Sequence, residues 1–94
     1  MAENEPRVDL EMASDNLYQE EIFTDRRVGT IQRLTPVTKD GGPDTTRTIV
    51  YVGQTQILTP AGGLPITFEI EAASLGEATR KFSEAAEVAI EDTM

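Results

Sequence analysis

Glu20, Glu21 and Asp25 stand close together in the chain. Clustered carboxylates can divide acid and base roles when burial separates their pKa values. These three lie in a polar stretch beside Arg26 and Arg27 and read as solvated charge. They also lack the D-x-[DN]-x-[DN]-G spacing of a calcium loop. The segment Asp40-Gly-Gly-Pro-Asp44 holds two acids around a turn, too few for a metal cage. Gly41-Gly42 and Gly62-Gly63 match neither G-x-G-x-x-G nor the P-loop, so nucleotide phosphates have no motif. Lys39 falls in a loop and Lys81 on an exposed helix face, neither a setting for a Schiff base. With no His and no Cys, the usual zinc sites, disulfides and Ser-His-Asp or Cys-His catalysis are excluded. No catalytic, cofactor-binding or metal-ligating residue is assigned, and the expectation is a protein that is not an enzyme.

Charge narrows the partners. The 94 residues carry 17 acids against 8 bases, a net charge of −9. The first 25 residues have net charge −7, residues 26–60 have +3 and residues 61–94 have −5. Arg26, Arg27, Arg33 and Arg47, with Tyr51, could line a basic strand surface for a small ligand or nucleic acid. The acidic flanks oppose phosphate backbones, so that reading is the alternative. No run nears the roughly 18 apolar residues of a membrane span. Met-Ala-Glu-Asn-Glu-Pro has neither the basic nor the apolar region of a secretion signal, so a cytoplasmic protein is expected.

These side chains need elements to hold them. Residues 1–15 read as an acidic, disordered tail and 16–94 as one domain. Within the tail, Val8, Leu10 and Met12 alternate with acids, the period of a strand that could order against a sheet edge. Strands are predicted over 17–24, 28–35, 46–58 and 64–71. Tyr18 and Ile22 face one way in the first strand, Leu17 and Phe23 the other. Pro36 is expected to end the second strand, and Ala61–Gly63 to form a short hairpin loop. A helix is predicted over 74–90. Ser74 and Glu77 make its capping box, and Leu75, Ala78, Phe82, Ala85, Ala86 and Ala89 its apolar stripe. Glu77 with Lys81 and Arg80 with Glu84 are spaced as ion pairs, while Glu87, Glu91 and Asp92 should fray the last turn.

The fold class that follows is α+β: a four-stranded, mainly antiparallel meander with one C-terminal helix on one face. Leu75, Phe82 and Ala86 should dock on Ile66, Phe68 and Ile70, and Phe82→Ala should cost roughly 3–5 kcal/mol if the ring is fully buried. One further pattern stands out. Val28-Gly-Thr-Ile-Gln-Arg-Leu-Thr-Pro36 and Val52-Gly-Gln-Thr-Gln-Ile-Leu-Thr-Pro60 agree at six of nine positions. A shared structural role is expected, with each glycine allowing a bulge or a close backbone approach.

Strand 46–58 carries large apolar residues on both parities, yet a single helix covers one sheet face. Either a bulge at Gly53 turns both sets inward, or a partner covers the second face. The expected function is a non-catalytic protein-interaction module. Its candidate surface is Arg47, Ile49, Tyr51, Thr55 and Ile57, and its partner an unidentified protein or a second copy in a homodimer. Tyr51→Glu would then split the dimer and leave the monomer folded.

Overall fold

The computed structural model describes residues 10–93. Residues 1–9 of the tail expected over 1–15, and with them Val8 and Asp9 of the strand considered at 8–12, lie outside them. Residues 10–13 belong to no strand, and a turn closed by Asn16 N–H on the Ala13 carbonyl (2.9 Å) leads into the first strand.

Four strands follow: β1 (Leu17–Thr24), β2 (Gly29–Val37), β3 (Val50–Thr59) and β4 (Gly62–Ile70). They pair antiparallel in the order β1-β2-β3-β4, and the helix α1 (Leu75–Thr93) packs on β4, β3 and β2 but not β1. The α+β meander with one C-terminal helix is therefore the architecture.

Boundaries move for local reasons. β2 continues through Pro36, which pairs with Tyr18 while its carbonyl accepts from the Asp44 amide on the other side. A strand residue's N and C=O point the same way, so the missing donor lies where β3 has not yet begun. β3 starts at Val50 rather than 46 because Asp44 holds the approach: its Oδ1 accepts from the Thr46 amide (2.9 Å) and hydroxyl (2.6 Å). The β3–β4 hairpin is tighter than expected. Thr59 pairs with Gly62 across a two-residue loop, Pro60-Ala61, with Gly62 at φ 119°.

The helix begins as its cap dictates. Ser74 Oγ accepts from the Glu77 amide (3.1 Å), while Glu77 Oε1 takes the amide of Ala73 (2.6 Å), one residue before the expected partner. Glu77 pairs with Lys81 at 3.6 Å, whereas Arg80 and Glu84 make no ion pair. The helix runs on to Thr93, with Ala89 and Ile90 packed against the core despite the acids at its end.

The core lies between α1 and the sheet: Ile31, Tyr51, Ile66, Phe68, Ile70, Ala78 and Ala86 are buried. Leu75 and Phe82 pack against it as half-buried neighbours, so the predicted docking stands, with Phe82 less enclosed than a fully buried ring. Phe82 meets Phe68 edge to face at 5.1 Å between centroids.

The repeated motif has a geometric meaning. Its two copies lie side by side, Gly29 opposite Thr55 and Gly53 opposite Ile31, around a local twofold between Thr30 and Gln54. Pairing passes through Gly53 on both sides without a bulge. Both glycines sit beneath Phe82, where an added Cβ would come within 3.0 Å of its ring. Close approach, not a bulge, is what the glycines permit.

Candidate functional site

Register assigns every strand residue to a face. Tyr51, Thr55 and Ile57 share the helix side with Ile70, Ile66 and Leu64. Tyr51 is 3% exposed and Ile57 packs against the core. The Thr55 hydroxyl donates to the Val28 carbonyl at 2.6 Å. The expected interaction surface is thus placed on the covered side of the sheet, and the parity is corrected. The cause is the hairpin loop. A three-residue loop over 61–63 would set even residues of β3 against even residues of β4, but the two-residue loop sets odd against even. One residue of slip turns Tyr51 inward. Of the named residues, Ile49 remains 43% exposed, just before β3.

Arg47 is an internal clasp. Its Nε donates to Asp44 Oδ2 (3.0 Å), Nη1 to Asn16 Oδ1 (3.0 Å), and Nη2 to the carbonyls of Leu17 (3.0 Å) and Val37 (2.9 Å). The guanidinium also lies 4.9 Å from the Tyr18 ring centroid. One side chain therefore joins the start of β1, the end of β2 and the approach to β3. Arg33 is similarly engaged, with Nε and Nη2 both 2.9 Å from Glu21 Oε1 and the guanidinium 5.0 Å from the Phe23 ring. Two of the arginines required for a nucleic-acid surface are thereby ion-paired within the fold. Arg26, at φ 60°, and Arg27 stand at the β1–β2 turn.

The carboxylates of Glu20, Glu21 and Asp25 do not converge. Glu21 faces the helix side to meet Arg33, Glu20 faces away, and Asp25 Oδ1 caps the turn by accepting from the amides of Arg27 (2.9 Å), Val28 (2.9 Å) and Gly29 (3.3 Å). Those backbone donors hold the Asp25 carboxyl below its ordinary pKa. Thr46, through its hydroxyl and amide, and then Arg47 pull Asp44 from 3.8 down to about 2. A depressed folded-state pKa stabilises the fold above the unfolded value and ceases to do so as pH falls through the folded one. Thermal melts should therefore show Asp44's contribution intact above pH 4 and lost between about 4 and 2. Asp44→Asn should flatten that acid limb relative to wild type, and an unchanged limb would show that Asp44 does not contribute to it.

Two surfaces of the sheet remain, one on each side. On the helix side, Phe23, Val28, Ile31, Leu75 and Phe82 line a groove of about 370 Å3 where the sheet extends past α1. On the other side, among the described residues, no helix or strand covers the sheet, and Arg47 lies over it only at the Tyr18 end. Leu34 pairs with Val50, Gln32 with Val52, Tyr18 with Pro36 and Ile22 with Gln32, all of this second parity. Ile22 is 65% and Tyr18 37% exposed, with Leu34, Val50 and Val52 half-buried. These residues form an apolar band on the two central strands, continued onto β1. The alternation in the sequence showed that both faces of β3 were apolar; only the loop length shows which one is left open.

Compared with known proteins, the chain matches no family model, no curated protein and no solved structure.

Proposed function

We propose that this chain is a cytoplasmic, non-catalytic protein-interaction module whose working surface is the uncovered face of its sheet. The observation that supports this is the apolar band of Ile22, Leu34, Val50 and Val52, which, among the described residues, no helix covers and no bulge at Gly53 turns inward. Exposed apolar area of this kind is stabilised by association. A second protein seated on the face and a twofold homodimer stacking two such faces are the two forms that association can take.

The test uses Val52→Glu, which puts a charge in the centre of the band without entering the core. Its circular dichroism should match wild type. Association should be lost, both in sedimentation at micromolar concentration and when wild type and variant are compared as baits for the same lysate. A folded variant that retains every association of the wild type rejects the face.

A further inference from the structure

The uncovered face is patterned by charge as well as by apolarity. Register sets Glu20 beside Leu34 on edge strand β1 and Glu69 beside Val52 on edge strand β4. Both side chains are exposed, and among the described residues neither makes a hydrogen bond or ion pair. No Lys or Arg occupies this parity in any of the four strands. Of the cations beside the face, Arg47 over Tyr18 is neutralised by Asp44, while Arg26 and Arg27 stand at its other end, around Thr24, Thr30 and Gln54. An apolar centre with a free carboxylate at each margin is what remains.

Resting on the interaction reading above, we infer that this face takes an amphipathic helix of a partner protein whose apolar stripe is flanked on both sides by Lys or Arg. The widths agree. Three strand spacings separate β1 from β4, roughly 14 Å, and a helix with its side chains is about 10–12 Å across. A helix laid along β2 and β3 would rest its stripe on Leu34, Val50 and Val52, with basic side chains reaching Glu20 on one side and Glu69 on the other. Long basic side chains suit the position, since their methylenes cover apolar surface while their charged ends reach the rim. A second copy is the poorer occupant. It would set the same carboxylates against Glu20 and Glu69, in a chain of net charge −9.

The two occupants respond to salt with opposite sign. Screening weakens attraction between a basic helix and the acidic rim, and it relieves repulsion between two copies. The probe is a helical peptide of about 18 residues carrying a leucine stripe flanked by lysines, titrated against the full chain. Its control has glutamates in place of the lysines. The lysine peptide should bind at least about tenfold more tightly at low salt, and lose about that much on raising salt to roughly 0.5 M. The double variant Glu20→Gln, Glu69→Gln should lose a similar factor. Glu84→Gln, Glu87→Gln removes the same charge from the exposed side of α1 and should change little.

Equal weakening by the two double variants would make the attraction a property of net charge and overturn the inference. Equal binding of the two peptides would do the same. If Leu34→Ser leaves binding intact, the face itself is wrong and the proposed function falls with it. If Leu34→Ser weakens binding while the rim variant does not, the face stands and the basic flank is rejected. A dimer that strengthens with salt and blocks the peptide assigns the face to a second copy instead.

Discussion

Tyr51→Ala is expected to cost about 3–4 kcal/mol, within the range for truncating an enclosed aromatic side chain. Tyr51 is the largest of the buried side chains, 3% exposed, and sits on β3 with Ile70 on one side and Arg33 on the other. A domain of this length has about 5–14 kcal/mol of stability in total. The variant should therefore melt far below wild type, and a melting temperature within a degree or two of it would remove Tyr51 from the core. Tyr51→Phe should be much milder, losing only the hydroxyl that supports Arg33 after Glu21 has done most of that work. Tyr51→Glu cannot report on the open face. It would place a carboxylate under α1 beside Arg33, where Glu21 already holds the guanidinium.

The second large effect falls on the two motif glycines. A Cβ at Gly53 would lie 2.5 Å from Phe68 Cε2 and 3.0 Å from Phe82 Cε2. Ring atoms so near must shift, and overpacking of this kind costs about 1–3 kcal/mol. Gly29→Ala should be worse, because its Cβ would collide with the Gln54 carbonyl oxygen, a backbone atom that cannot rotate away. Phe82→Ala, on a half-buried ring, should cost about 2–3 kcal/mol, below the range for a fully enclosed phenylalanine. A double-mutant cycle tests the mechanism. Gly53→Ala should cost less in a Phe68→Leu background, with a coupling of about 0.5 kcal/mol or more. Strict additivity would show that the rings do not define the seat.

Much of this architecture was legible in the residues. Alternation in Leu17–Thr24 gave β1 its bounds and its two faces, and the Ser74 cap located the start of α1. What escaped was long-range. Nothing near Thr46 and Arg47 shows that Asp44 will keep them out of β3, since that depends on Arg47 reaching carbonyls of β1 and β2. The open face was hidden by a single residue. Ala61-Gly62-Gly63 looks like the more flexible loop, yet Gly62 at positive φ closes the turn and Gly63 already pairs with Leu58. Period-two patterns record alternation faithfully but leave its phase to the turn. The motif, in turn, could suggest that its glycines admit a close neighbour, but not that one phenylalanine serves both.

The meander also sets a timetable for folding. Each strand pairs with the next one synthesised, across gaps at 25–28, 38–49 and 60–61, so no strand waits for a distant partner. Such short closures are fast, on the order of microseconds for a hairpin. α1 is the exception, because it leaves the ribosome only after all four strands. Synthesis at roughly 5–20 residues per second is far slower than hairpin closure. For seconds, a nascent sheet would therefore present Tyr51, Phe68 and Ile70 as bare as the opposite face. A chain truncated before Leu75 would remain in that state, with both surfaces open to aggregation and to chaperones.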